Sequence, residues 1–195
     1  KIHELHSDPA HVLQCKKDLE HLLGQPSTQE VRPCPNCDIP CPCSSSRTCT
    51  CPCSDVCEHL PKQLSSDPKR YPLEEKIIPL VFAFCSLRVC QPYWSCEGHC
   101  SSTGEVSKIP RVWFYSRSLI YARLIDDYLS FLHFKKQISC PWHLCLTYSS
   151  WAHVDTAFSI QPDLTFLKEP KLRSLQMDAN VIASGLVAKV TSSAK

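Results

Sequence analysis

The sequence predicts an α+β protein: a two-layer sandwich of a small four-stranded sheet with helices on one face, joined to an N-terminal helix and a cysteine-rich metal-binding segment. Two observations predict the sandwich. Apolar residues recur at helical spacing in three segments after residue 73, and short stretches rich in β-branched and aromatic residues lie between them. A third observation separates the N-terminal part, because eight cysteines and hardly any apolar side chains occupy residues 34 to 57.

Four segments are predicted to be helical. The first spans residues 8 to 23, because Ser7 or Asp8 can cap it, Pro9 suits its first turn and Gly24 ends it. The second spans residues 73 to 89, where Pro79 predicts either a kink or a later start. The third spans about 118 to 135, and the fourth begins at Pro170. The residues predicted to face inward are, in chain order, Val12, Cys15, Leu19, Leu22 and Leu23; Ile77, Leu80, Val81, Phe84 and Arg88; Tyr121, Leu124, Ile125, Tyr128 and Leu132; and Leu172, Leu175, Ala179, Ile182, Leu186 and Val190.

Four strands complete the predicted sandwich, at residues 93 to 96, 111 to 116, 142 to 149 and 155 to 161. The last two are close enough in the chain to pair as a hairpin. A polar connection that contains Pro68 separates this part from the cysteines. We therefore predict two units, residues 1 to 67 and residues 68 to 195.

Composition argues against several functional classes. The formal net charge is +2 and the basic residues form no stripe, so there is no strong signal for nucleic-acid binding. No stretch approaches the roughly 18 to 20 apolar residues of a membrane span. With four glycines and no phosphate loop, the chain does not resemble nucleotide-cofactor enzymes. Fifteen cysteines, an odd number, together with ample apolar residues, favour metal ligation in a reducing compartment, and hence a cytoplasmic location, although a removed leader stays open.

The cysteine-rich segment is predicted to bind metal. Its cysteines are Cys34, Cys37, Cys41, Cys43, Cys49, Cys51, Cys53 and Cys57. Side chains two residues apart in an extended chain share a face, so runs such as Cys-Pro-Cys bring thiolates together. Eight thiolates could supply two zinc sites of four sulfurs each. An iron–sulfur cluster is the alternative cofactor, but Pro35, Pro42 and Pro52 remove backbone N–H groups that usually bond to cluster sulfides.

The spacing from Cys41 to Cys57 resembles that of the three-zinc, nine-cysteine clusters of pre-SET and tesmin-type cysteine-rich domains. Eight thiolates and two zinc ions leave an excess of negative charge, which a third zinc ion bridged by shared sulfurs would reduce, with Cys15, Cys140 or His59 as the ninth ligand. No SET-domain sequence follows the cysteines, so methyltransferase activity is not implied.

A second group of reactive residues lies at the end of a predicted strand. The sequence of residues 95 to 100 is Ser-Cys-Glu-Gly-His-Cys. Cys96, Glu97 and His99 could provide a nucleophile and its base. Alternatively, Cys96, His99 and Cys100 could ligate a metal ion. Cys96 and His99 are predicted to lie within reach of each other, and His143, on a neighbouring strand, is a predicted further ligand or proton carrier. The structural alternative is an ordinary core cysteine, a solvent-facing glutamate and a histidine that caps a turn.

The run from Tyr93 to His99, followed by Pro-Arg-Val-Trp-Phe-Tyr, also resembles a strand pair of small uncharacterised bacterial α+β proteins that carry a Ser-Cys-Glu-Gly-His signature. The resemblance implies a shared fold and no known activity.

The function predicted first is a metal-binding protein with a zinc-thiolate cluster, serving an accessory or metal-handling role with a protein partner or a small molecule. An enzyme with a pocket at Cys96, Glu97 and His99 is the second hypothesis. An iron–sulfur redox protein and a secreted disulfide-rich binding protein are further alternatives. The sequence leaves the oligomeric state open.

Metal analysis tests the cysteine-rich segment directly. We expect the purified protein to carry at least two metal ions bound within residues 34 to 57, because eight thiols there have no apolar core to order them. Elemental analysis and an absorption spectrum measure the content and distinguish zinc from an iron–sulfur cluster. Mass spectrometry that finds four disulfides and no metal in this segment would contradict the prediction.

Overall fold

The computed structural model describes residues 8–25, 32–33, 40–41, 73–147 and 156–195 of the chain. It confirms the α+β class. Its helices are α1 (Pro9–Leu23), α2 (Ile78–Leu87), α3 (Leu119–Phe134) and α4 (Leu172–Ser193), with short 3₁₀ turns at Glu75–Ile77 and Leu164–Phe166. Its strands are β1 (Arg32–Pro33), β2 (Pro40–Cys41), β3 (Cys90–Cys100), β4 (Val106–Ser116), β5 (Trp142–Thr147) and β6 (Thr156–Pro162).

The main sheet is antiparallel and has the strand order β3-β4-β6-β5, so β3 and β5 are its two edges. Phe114 of β4 pairs with Phe158 of β6, and their ring centroids are 5.7 Å apart. On the same face, Phe84 of α2 lies 4.6 Å from Phe114. The helices therefore pack on the face that carries these phenylalanines.

The core confirms the helical patterns after residue 73. Helix α4 packs against both α2 and α3 and contacts β3 and β4 as well. The predicted inward residues that are buried are Ile77, Leu80, Val81 and Phe84 before and in α2, Tyr121, Leu124, Ile125, Tyr128 and Leu132 in α3, and Leu175, Ala179, Ile182, Leu186 and Val190 in α4. One periodic apolar face per helix is enough to specify this layer.

Helix α1 differs from its predicted packing. Asp8 caps it as predicted, but Val12 and Leu23 are each 38% exposed and only Leu22 of the predicted face is buried. Asp18 instead attaches the helix to the start of α3, where the hydroxyl of Ser118 donates to its carboxylate at 2.5 Å. The hydroxyl of Tyr121 also donates to the carbonyl of Asp18, at 2.8 Å. These two hydrogen bonds and the apolar contacts of Leu19 and Leu22, rather than the whole predicted face, hold α1.

Several predicted boundaries are wrong, among them the start of β4, which begins at Val106 and not at residue 111. The second helix begins at Ile78, so Pro79 lies in its first turn. N–H groups in the first turn have no carbonyl partner within the helix, so a proline there removes no helical hydrogen bond. Strand β3 extends well beyond residues 93 to 96, because pairing with β4 continues on both sides of a bulge between Pro92 and Trp94. Pro92 is tolerated because β3 is an edge strand.

Strands β5 and β6 pair as predicted, whereas the turn between them and the boundary near residue 68 lie outside the described residues. The same holds for the predicted metal-binding cysteines, with the exception of Cys41, whose backbone pairs with Arg32 in the small β1-β2 ribbon. Among the helices that the structure describes, none is long and apolar enough to cross a membrane.

A buried carboxylate connects α4 to the loop before β5. Asp178 is 5% exposed and accepts hydrogen bonds from the backbone N–H of Ser139, at 3.0 Å to each oxygen, and from its hydroxyl at 2.6 Å. Burial raises the pKa of Asp178, while the bonds from Ser139 act in the opposite direction. The carboxylate therefore fixes the loop through hydrogen bonds, although its burial removes most of the water around it.

Replacing Asp178 by alanine should lower the free energy of unfolding by about 2 to 4 kcal/mol, because the part-buried hydrogen bonds from Ser139 to a charged acceptor would be lost. Urea unfolding measures the change. Asp126→Ala, at an exposed position of α3, is the control and should change the free energy by less than about 0.5 kcal/mol. Equal effects of the two variants would show that the buried bonds do not stabilise the fold.

Candidate metal centre

Three side chains with metal-binding atoms converge where α2 begins beside β3. These are Glu74, Cys96 and His99, whose ligand atoms all lie within 4.8 Å of one another. The sequence predicts that Cys96 and His99 lie close together, and the structure confirms it. Glu74 is a member of this group that sequence analysis missed.

Chain geometry explains why Glu74 reaches Cys96. Helix α2 is joined to β3 by two residues, so the two elements run in opposite directions. Ten helical residues and a three-residue 3₁₀ turn rise about 21 Å in total, which equals six to seven residues of strand. Counted from Cys90, that distance ends at Cys96 and Glu97.

Two glutamates fix this junction by exchanging hydrogen bonds. The backbone N–H of Glu97, on the edge strand β3, donates to Oε2 of Glu74 at 2.7 Å. In return, the backbone N–H of Lys76, in the 3₁₀ turn, donates to Oε2 of Glu97 at 2.8 Å. The arrangement resembles a helix capping box, except that one of the satisfied donors belongs to a strand. We call this pair of bonds the carboxylate exchange.

The other oxygen of Glu74 faces His99. Its Oε1 lies 3.0 Å from Nε2 of the imidazole. The side chains of His99 and Glu74 are 42% and 32% exposed, so solvent and ions can reach them. The carboxylate is thus oriented by the backbone on one side and presents its second oxygen to the histidine on the other.

Cys96 is buried beside this pair but outside the main core cluster, with 5% of its surface exposed. The N–H of Gly98 lies 3.4 Å from its sulfur. Burial raises the pKa of Cys96, and so does the charge of Glu74, whereas the Gly98 N–H and the cations Lys108 and Arg111 act to lower it. The net upward shift means that the group does not activate Cys96 as a thiolate nucleophile in the metal-free state.

Gly98 shapes the back of the site. Gly98 lies inside β3 with φ of +84°, a conformation that favours glycine. A Cβ at this position would lie 2.6 Å from Cδ1 of Leu172 and 2.9 Å from Cδ of Pro110. Nearby, the side-chain amide of Gln176 donates to the carbonyl of Glu97 at 3.1 Å. The missing side chain therefore lets α4 pack directly behind the site.

The remaining predicted residues lie elsewhere. The carboxylate of Glu97 bonds to Lys76, so the acid beside Cys96 and His99 is Glu74 instead. The predicted placement of His143 on a neighbouring strand is wrong, because β5 is the opposite edge of the sheet. The Nε2 of His143 lies 3.1 Å from Oδ2 of Asp163. Cys100 is exposed at the end of β3.

Gly98→Ala should destabilise the protein by about 3 kcal/mol, because it combines an unfavourable φ with a clash against α4. Gly104→Ala separates these two contributions. Gly104 has φ of +85° but open space around it, so its variant should lose only about 1 kcal/mol. Chemical denaturation of both variants gives the comparison, and equal losses would rule out the close contact with α4.

Comparison of the chain with protein-family models, with curated proteins and with solved structures found no match. The functional argument therefore depends on the geometry of Glu74, Cys96 and His99 and on the cysteine pattern.

Proposed function

We propose that this chain is a zinc-binding protein in which Glu74, Cys96 and His99 hold one ion. The observation that carries the proposal is the convergence of a carboxylate oxygen, a sulfur and an imidazole nitrogen within 4.8 Å. Zinc binds these three donor types, and it favours a tetrahedral arrangement.

The distances suit zinc after a small adjustment. Ligand atoms around a tetrahedral zinc ion lie about 3.3 to 3.6 Å apart. The 3.0 Å between His99 and Glu74 is close to this separation. The three ligand atoms lie within 4.8 Å of one another, so the sulfur of Cys96 needs to approach by up to about 1.2 to 1.5 Å. The bond from Glu97 to the second oxygen of Glu74 supports the ligand from behind, as outer partners commonly do in metal sites.

The charge balance also favours a dication. The carboxylate of Glu74 and a thiolate at Cys96 together neutralise Zn²⁺ when His99 is neutral. Because burial raises the pKa of Cys96, zinc must displace a thiol proton, and its affinity should increase as the pH rises. A nucleophilic cysteine is activated by a lowered pKa, whereas a zinc ligand loses its proton to the metal, so the raised pKa of Cys96 is compatible with ligation.

Three protein ligands leave a fourth coordination position for water or for a ligand of a partner molecule. We propose a metal-handling or accessory role in the cytoplasm. In this role the open coordination position accepts or releases a zinc ion, and the zinc-thiolate cluster of residues 34 to 57 is a second zinc site of the same chain. The spacing of eight cysteines supports that cluster, and the prolines among them favour zinc over an iron–sulfur cofactor.

Residue-resolved alkylation of the full chain distinguishes this site from the cysteine-rich segment. Adding zinc to the metal-free, reduced protein should slow the labelling of Cys96 at least about tenfold, because a metal-bound sulfur is not a free nucleophile. Glu74→Gln and His99→Gln should each abolish that protection. Peptide mass spectrometry measures each cysteine separately, and exposed Cys100 serves as an internal control whose labelling zinc leaves unchanged.

The matched control is His143→Gln. This histidine also lies beside a carboxylate, at 3.1 Å, but on the opposite edge of the sheet. Zinc should protect Cys96 as fully in this variant as in the wild type. The proposal is wrong if zinc leaves Cys96 labelling unchanged, or if protection survives in both Glu74→Gln and His99→Gln.

A further inference from the structure

A cleft of about 500 Å³ lies at the other edge of the sheet, between the C-terminal end of α3, the start of β5 and the 3₁₀ turn Leu164–Phe166. Its volume lies within the range of sites that bind small molecules. It is remote from Cys96, because β3 and β5 are opposite edges. An inference about this cleft therefore goes beyond the proposed zinc function.

The walls of the cleft are largely apolar. Leu129 and Trp142 are buried side chains that line it, whereas Phe134 and Phe166 line it with 78% and 64% of their surface exposed. Two exposed phenylalanine rings at the rim of a concave surface leave apolar area in contact with water. A ligand with an apolar body would cover that area.

The polar groups of the cleft are mostly basic. His133, Lys136 and His143 all line it. The acid beside them, Asp163, is already engaged by Nε2 of His143 at 3.1 Å and by the hydroxyl of Thr165 at 2.6 Å. The ammonium group of Lys136 can therefore pair with an anionic ligand, and the imidazole of His133 can donate a hydrogen bond to it.

Hydrogen bonds to carbonyl groups in the last turn of α3 weaken the repulsion that this end of the helix exerts on an anion. The N–H of Lys136 donates to the carbonyl of His133, and the N–H of Gln137 donates to the carbonyl of Leu132, both at 2.9 Å. This pair of bonds is a Schellman motif, in which the residue with positive φ is usually glycine. Here that residue is Lys136, with φ of +55°. Glycine would suit the backbone better, so the backbone does not account for a lysine at this position.

We propose that this cleft binds a small amphipathic anion, an aromatic or aliphatic carboxylate. Its apolar body lies between Phe134 and Phe166 and against Trp142. Its carboxylate pairs with the ammonium group of Lys136 and accepts a hydrogen bond from the imidazole of His133, while His143 remains bonded to Asp163.

The test uses the full chain and the fluorescent anion 8-anilinonaphthalene-1-sulfonate as the probe. The wild type should bind it saturably at one site. Phenylacetate should displace it, whereas 2-phenylethanol, which has the same ring but no charge, should displace it at least about fivefold less well. The indole N–H signal of Trp142, identified in NMR spectra by its loss in Trp142→Phe, should shift on addition of phenylacetate.

Lys136→Gly is the critical variant, because it should raise the stability of the protein and lower its affinity for phenylacetate. Relief of the positive φ should raise stability, so weaker binding cannot result from unfolding. Its affinity for phenylacetate should fall at least about fivefold. Arg88→Gly is the matched control: Arg88 also has positive φ, at 61°, but ends α2, and its variant should bind phenylacetate as the wild type does.

Three outcomes would contradict the proposal. Equal displacement by phenylacetate and 2-phenylethanol would overturn the anion specificity. An unchanged affinity in Lys136→Gly would overturn the role of its ammonium group, and an unshifted Trp142 signal would overturn the location.

Discussion

The carboxylate exchange between Glu74 and Glu97 is the constraint on which the candidate site depends. An edge strand presents backbone N–H groups without a partner strand, and the start of a helix presents N–H groups without carbonyl partners. Each glutamate satisfies a donor of the other element, at 2.7 and 2.8 Å. The exchange fixes the end of β3 against the beginning of α2 and thereby places Cys96 and His99 beside an acid more than twenty residues earlier in the chain.

Sequence periodicity predicted the layer of α2, α3 and α4 because each of these helices buries one continuous apolar face. It failed for part of α1, where the same spacing of apolar residues leaves Val12 exposed and where Asp18 makes hydrogen bonds to α3. A helical pattern reports that one side of a helix is apolar, but it does not report whether another element covers that side. The helix itself was predictable from Asp8 and Pro9, whereas its packing was not.

Strand order was the part of the fold that local patterns could not supply. β4 is followed by α3 and then β5, but β6, not β5, returns to pair with β4. This connection carries His143 to the far edge of the sheet. Glu74 could have been found by length alone, since the rise of α2 and its 3₁₀ turn matches that of β3 up to Cys96. No local motif marks it.

The two oxygens of Glu74 have separate roles, and this separation supports a site over a purely structural junction. Oε2 completes the exchange with the N–H of Glu97, which requires neither Cys96 nor His99. Oε1 faces the imidazole of His99, at 3.0 Å, beside a buried thiol that lies outside the main core cluster. Packing explains a buried cysteine inside a core, but it does not explain one placed beside an oriented carboxylate and a partly exposed imidazole. Metal ligation requires all three groups, and it also uses the rigidity that the exchange gives to the carboxylate.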